Sequence, residues 1–342
     1  MSESRQFIHA GAARRPLCVG ADLGGTSLKV GVVDSEGGVL SCLNVPAHVE
    51  QGPAAGAERI AAAIEEAVAR AGLSMQDIEA IGLGSPGGID AVAGTLLFPA
   101  NLPLWGGFPL RSTVAERCRL PVKLFNDAAA AAYGEFWVGT AEAFASMVLL
   151  TLGTGVGGGA ILGGRLIDGD HGAGTELGHI IIDYNDSARL CSCGQRGHLE
   201  AYASASAVVR RTEEALAAGP KSSLADRLAA GETLTARLIA GEAERNDAVS
   251  LTIMLDTARF LGIGVVTMLH ALDPSIVVLG GAMTFGGPTS QLGQRFLQRI
   301  RQEVRERALP PVAATPIEFA SLGAEAGFIG AAGLARGVNA EC

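Results

Sequence analysis

Asp22-Leu23-Gly24-Gly25-Thr26-Ser27 lies between two short apolar runs, Leu17 to Asp22 and Lys29 to Asp34. Leu152-Gly153-Thr154-Gly155-Val156-Gly157-Gly158-Gly159 repeats the arrangement at mid-chain, between Met147 to Leu152 and Ala160 to Ile167. The runs read as strands and the glycines as turns, so each stretch predicts a strand–turn–strand hairpin. Two matched hairpins predict a duplicated α/β architecture with a cleft between its halves. Gly-rich turns aim backbone N–H groups and hydroxyls at anions. A dinucleotide-binding turn should open a helix, but strand-like residues follow here. A Walker A loop needs Gly-Lys-Ser/Thr, which the chain lacks. Gly280-Gly281 closes a third strand, Ile276 to Leu279. Together these strand ends predict phosphate binding.

Strands and helices alternate along the rest of the chain. Val39 to Val45 reads as a strand, and Ile60, Ile64 and Val68 mark a helix over Ala54 to Ala71 that stops at Gly72. Ile78 to Leu83 is a strand running into Gly84-Ser85-Pro86-Gly87-Gly88. Val122 to Phe125 is another, with an Ala-rich helix from Ala128. Leu199 to Ala218, Asp247 to Leu272, Gln291 to Ala308 and Ala324 to Arg336 read as helices, and 219–241 as short surface helices. Met1 to Arg15 lacks an apolar signal core and reads as a loose tail.

At 342 residues, 48% hydrophobic and 18% charged, the chain has the size and composition of a two-domain α/β enzyme. The net charge of −9 argues against nucleic acid, which asks for a basic footprint. No uninterrupted apolar run approaches the ~20 residues of a membrane span. Cys18, Cys42, Cys118 and Cys342 show no pairing pattern, which suits a reducing cytoplasm.

Glu176-Leu177-Gly178-His179 and Cys191-Ser192-Cys193-Gly194-Gln195-Arg196-Gly197-His198-Leu199-Glu200 carry the densest chemistry. His179, Cys191, Cys193 and His198 offer the S and N donors that Zn²⁺ prefers. A closed four-ligand set would be structural, leaving the chemistry to the flanking carboxylates. The plainer reading is two free thiols, a core His and a surface His. Asp127 ends one strand and opens a helix. It would serve there either as a helix cap or as a carboxylate delivered to the cleft to accept a proton.

Taken in order, these motifs resemble the ROK family (repressors, uncharacterised frames and kinases). The matching stretches are Asp22 to Thr26, Gly84 to Gly88, Asn101-Leu102-Pro103-Leu104-Trp105, Asn126-Asp127, Gly153 to Gly159, Glu176 to His179, Cys191 to Glu200 and Val278 to Gly281. They cover nearly the whole chain. The resemblance implies two actin-like ATPase (ribonuclease H-like) α/β domains around a cleft, with a zinc-binding loop in the larger. The small domain would span 16–127 plus 324–342, and the large 128–323. The implied activity is ATP-dependent phosphorylation of a sugar 6-hydroxyl.

The same resemblance implies a role for each matched residue. Asp127 would be the base. Gly87, Gly88, Asn101, Asn126, Glu176, His179 and Glu200 would hold the sugar. Gly24, Gly25, Thr26, Thr154 and Gly155 would cradle the ATP phosphates. Asp22 would help place Mg²⁺, and Gly280 and Gly281 would pack on the adenosine. His179, Cys191, Cys193 and His198 would bind structural Zn²⁺, so the metal would brace the sugar pocket. Family members are commonly dimers or tetramers, which implies a homo-oligomer.

Three positions depart from the family pattern. His198 replaces a ligand Cys, Ala129 a second Asn, and Ser27 a Lys. The family's repressors carry a helix-turn-helix ahead of this region, and the residues before Asp22 are too few to hold one. A non-catalytic sugar sensor is disfavoured by Asp127 and both phosphate turns. Kinases of N-acetylmannosamine, N-acetylglucosamine or fructose are closer rivals. The Phe98-Pro99-Ala100-Asn101-Leu102 segment looks most like family glucokinases and favours glucose.

Overall fold

The first Gly-rich turn joins β1 (Leu17–Leu23) to β2 (Ser27–Val33), paired antiparallel with Leu23 opposite Leu28. β3 (Val39–Pro46) extends the meander, and α1 (Pro53–Arg70) leads to β4 (Ile78–Ser85), parallel to β1. A small hairpin of β5 (Gly88–Asp90) and β6 (Thr95–Leu97) precedes α2 (Leu110–Cys118). β7 (Val122–Asn126) then joins β4 in parallel, and α3 (Asp127–Val138) leaves its end. The sheet order is β3-β2-β1-β4-β7. This computed structural model describes residues 7–97, 99, 102 and 104–336.

The second half retraces the path. β8 (Met147–Leu152), β9 (Val156–Leu162) and β10 (Arg165–Leu166) form a meander. A helical block follows: α4 (Glu200–Ala203), α5 (Ala205–Ala217), α6 (Ser223–Ala229), α7 (Ala236–Glu244) and α8 (Ala248–Leu272). β11 (Ile276–Gly280) lies parallel to β8. Then α9 (Gln291–Arg307), β12 (Ile317–Phe319), parallel to β11, and α10 (Ala326–Ala335) complete the half. The order β10-β9-β8-β11-β12 matches the first sheet strand for strand.

Burial explains the strand composition. Each sheet's parallel strands are covered on both faces, so they read as unbroken apolar runs rather than alternating ones. Ile276-Val277-Val278-Leu279 of β11 is fully buried. α8 is long and apolar enough to cross a bilayer, but half of its apolar window is buried. Met254, Leu261, Val265 and Met268 pack into the second-half core with Phe296 and Ile300 of α9.

Several sequence expectations need correction. The second Gly-rich turn is only Gly153 to Gly155, because Gly157, Gly158 and Gly159 already belong to β9. Their glycines serve close packing. A Cβ at Gly158 would lie 2.7 Å from Leu177, and one at Gly159 2.5 Å from the Ala132 Cβ of α3. The helix expected over Leu199 to Ala218 is broken at Ser204, whose Oγ accepts from Ala207 N and caps α5. The β5–β6 hairpin, α2 and β12 are too short to announce themselves by periodicity. Part of the expected loose tail is tied down: Ile8 N donates to Val39 O at 3.0 Å and Arg14 N to Asp34 Oδ2 at 3.0 Å. Residues 1–6 and 337–342 lie outside the described residues.

Candidate active site

Parallel pairing brings the ends of β1, β4 and β7 together, with Asp22 opposite Gly84 and Ser85 opposite Asn126. The cap of α3 is Asn126, not Asp127. Asn126 Oδ1 accepts from Ala128 N at 2.9 Å and Ala129 N at 3.1 Å, while its Nδ2 donates to Gly87 O at 3.1 Å. Asn126 thus joins the start of α3 to the Gly87-Gly88 turn, leaving one N–H for a ligand. Asp127, the first residue of α3, accepts one bond at Oδ1 from Ala128 N at 2.8 Å.

The carboxylates feel one another. Burial pushes the Asp127 carboxyl above its ordinary range, against the pull of the Ala128 N–H. Asp22 is pushed up to about 6, first by burial and then by the charge of Asp127, with Lys29 opposing. Lys29 sits across from Asp22 on β2. Glu176 is also raised by burial; His179 pulls it back, and Asp127 and Glu200 add to the rise. Half-buried acids gathered around Asp127, whose charge raises Asp22 and Glu176, mark a place for a cation or for proton transfer.

The second turn lies against this cluster. Gly153 N donates to Gly155 O at 3.0 Å, closing the turn. Glu200 opens α4, and its Oε2 accepts from Val156 N at 3.0 Å. Its Oε1 accepts from Ser192 Oγ, so one side chain joins the second Gly-rich turn to the Cys loop. A Cβ at Gly155 would lie 2.4 Å from Glu200 Oε2. Thr154 is exposed, and Ser206 Oγ donates to its carbonyl at 3.0 Å. Gly281, at φ +89°, follows β11 beside Leu152, whose carbonyl would lie 2.3 Å from a Cβ there. In the first turn Gly24 N donates to Ser27 O at 2.8 Å, and Gly25 and Thr26 are at least partly open to solvent.

His179, Cys191, Cys193 and His198 converge, their donor atoms all within 4.8 Å of one another. The two His Nδ1 atoms are 3.2 Å apart, Cys191 Sγ is 3.8 Å from His179 Nδ1, and Cys193 Sγ is 3.2 Å from His198 Nδ1. Such separations suit the edges of a tetrahedron with metal–ligand bonds of about 2.0–2.3 Å. His198 therefore stands with the other three. Asn101, and with it Phe98 and Ala100 of the segment that favoured glucose, lies outside the described residues.

Sequence reading missed two features. A cavity of about 470 Å³ borders Asn126 and Ala129, walled by Ile89, Leu124, Asp168 and His171. The Glu200–Val156 link was also missed, because contacts across 44 positions leave no local signal.

The sequence pattern of the ROK family matches residues 18–338. The chain belongs to the ROK family. It is 34% identical to a glucokinase of Halalkalibacterium halodurans over 319 residues, 93% of this chain and 94% of the relative. Among solved structures, a ROK hexokinase from Thermus thermophilus aligns with a TM-score of 0.78 at 35% identity, covering 96% of this chain and all of that one. A ROK family glucokinase from Streptomyces griseus, in complex with glucose and AMPPNP, aligns at 0.74 and 34% identity, covering 94% and 99%. This ROK protein therefore has the α/β ROK sugar-kinase fold, and its duplicated sheets are consistent with a two-domain actin-like ATPase.

Proposed function

We propose that this ROK protein is an ATP-dependent glucokinase that transfers the γ-phosphate to the 6-hydroxyl of glucose. The observation that carries the reading is the half-buried pair Asp22 and Asp127, both with raised pKa, at strand ends near the two Gly-rich turns. The likeness to a glucokinase bound to glucose and AMPPNP supports both substrates.

Asp127 takes the proton of the 6-hydroxyl as O6 attacks the γ-phosphorus, and the bond to the β-phosphate oxygen breaks to release ADP. Its raised pKa makes it a better proton acceptor than a solvated carboxylate. Gly87, Gly88, Asn101, Asn126, Glu176, His179 and Glu200 orient the sugar. Buried amides and carboxylates of this kind reject sugars that lack the matching hydroxyl. Gly24, Gly25, Thr26, Thr154 and Gly155 present donors to the phosphates, and Gly280 and Gly281 give the adenosine a flat backbone surface. The charge of Asp127 on Asp22, opposed by Lys29, fits a divalent cation with Asp22 as its carboxylate. Mg²⁺ bound there would neutralise charge on the phosphates. Small (16–127 with 324–342) and large (128–323) domains would close on the substrates and exclude water.

In this reading His179, Cys191, Cys193 and His198 hold a structural Zn²⁺. A metal there would order the loop that carries Glu200 and so brace the sugar pocket. The cavity beside Ala129 favours one alternative, an N-acylhexosamine whose acyl group would enter it. An ADP-release assay over hexoses and N-acylhexosamines decides between them. Glucose is expected to show the highest kcat/KM; a tenfold preference for an N-acyl sugar reassigns the acceptor, and no turnover with any sugar rejects the kinase.

A further inference from the structure

α10 and α3 pack backbone to backbone. A Cβ at Gly330 would lie 1.7 Å from Ala130 O, and one at Gly134 2.5 Å from Ala326 O. α10 also presses on the first sheet: a Cβ at Gly20 would lie 1.7 Å from Phe328 O, and one at Gly82 1.9 Å from Ala331 O. The entry to α10 is pinned as well. The buried carboxylate of Glu135 on α3 accepts from Ser321 N at 3.2 Å, Ser321 Oγ at 3.2 Å and Leu322 N at 2.7 Å. A helix held against two strands and a second helix has no direction in which to yield, because such close-packed interfaces lack slack.

The first turn of this fixed helix lies on Asp22. A Cβ at Gly327 would sit 2.6 Å from both Cγ and Oδ2 of Asp22 and 3.1 Å from its Cβ. Asp22 is a short side chain, so the clash could be relieved only by moving its carboxylate. α3, locked to α10, begins at Asp127. The proposed cation and base carboxylates, Asp22 and Asp127, are therefore both placed against one interlocked helix pair.

We infer that α10 is the template that sets the Asp22 carboxylate relative to Asp127, and that Gly327 is a positioning residue for the cation the carboxylate holds. This rests on the reading of Asp22 as the carboxylate that places Mg²⁺. The helix supplies no reacting group; its role is to leave one carboxylate-sized space at one place.

The test is a double-mutant cycle with a Mg²⁺ titration on the full chain. Gly327→Ala is expected to lower kcat/KM by about 10²-fold, the order of loss from a misplaced catalytic group, and to raise the half-saturating Mg²⁺ concentration. It should lower Tm in the wild type but not in an Asp22→Ala background, where the obstructing atoms are gone. Gly333→Ala, on the same helix as Gly327, is the control, since its Cβ would lie 2.5 Å from Trp137 Cε3 of α3; it should lower Tm and leave Mg²⁺ dependence alone. If Gly327→Ala alone fails to fold, the Asp22→Ala, Gly327→Ala double variant should fold; failure of both overturns the inference. Additive Tm losses with unchanged Mg²⁺ dependence also overturn it. An inactive Asp22→Asn beside a fully active Gly327→Ala overturns the template and leaves the Asp22 reading standing. An active Asp22→Asn removes the reading and the inference together.

Discussion

The two halves share a sheet order and a hairpin, yet they carry unlike residues at matching positions. In the first, Asp22-Leu23 runs into Gly24; in the second, Thr151-Leu152 runs into Gly153. Asp22 pairs across its hairpin with Lys29, and Thr151 with Gly157. The helices after the last strands differ in the same way. α3 opens with Asp127-Ala128, and α10 with Ala326-Gly327. The proposed base and cation carboxylates thus come from the first half, while the second offers backbone N–H groups, a hydroxyl, the Cys/His loop and the proposed sugar-binding carboxylates Glu176 and Glu200. Phosphoryl transfer asks for one proton acceptor and one cation site within a cradle of donors. A duplicated scaffold can supply the cradle twice and the base and cation site once.

That asymmetry breaks most directly at Asp127. Asp127→Asn is expected to cost about 10²–10⁴ in kcat, roughly 3–5 kcal/mol of barrier. The sugar Kd should move only a few-fold, because the amide keeps the size and one acceptor. Steady-state kinetics and calorimetry on the same variant check both. More than a tenth of wild-type kcat would send the base to Glu176 or Glu200.

Among the described residues the Cys/His loop has no counterpart in the first half, and the metal proposed for it is the next test. Purified protein should carry one zinc per chain by elemental analysis. His198→Ala should lose it and fall in stability by roughly 4 kcal/mol, as metal-site losses do. His198→Cys should keep it. A zinc-free wild type of full stability would remove the metal from the reading.

Asp22 sharpens the comparison through pH. Its folded pKa of about 6 lies above the ordinary 3.8, so the native state binds the extra proton between those values. Wild-type stability therefore falls as pH rises from 4 to 6, and the cost is fully present above pH 6. Asp22→Asn should exceed wild type at pH 8 by up to ~3 kcal/mol in urea unfolding without nucleotide or metal, with the gain vanishing below pH ~4. An unchanging gap across that range would contradict the raised pKa. The smallest effect belongs to the counterpart: Thr151→Ala should leave kcat within about threefold, since no proton or cation depends on it. A larger loss would mean that the halves share the chemistry after all.

Much of this was readable in the chain. The two hairpins, the parallel apolar strands and the convergence of His179, Cys191, Cys193 and His198 follow from spacings of a few to about twenty residues, which the backbone converts into turns, faces and ligand sets. Position alone leaves Asp127 between cap and base, and the resemblance to the ROK family implies the base. The structure gives the cap to Asn126, whose Oδ1 takes Ala128 N and Ala129 N.

Other features depend on which distant surfaces meet. Gly157 to Gly159 look like turn residues and are strand residues, because Thr151, Leu177 and Ala132 in turn leave no room for a side chain. Glu200 reads as a sugar ligand and also holds the Val156 N–H of the second turn. Gly327 carries no sequence signal at all. Local pattern determines the elements and the chemical groups each one bears. The fit of α10 over Asp22 arises only when two segments some three hundred residues apart pack at van der Waals distance, and no spacing along the chain records that contact.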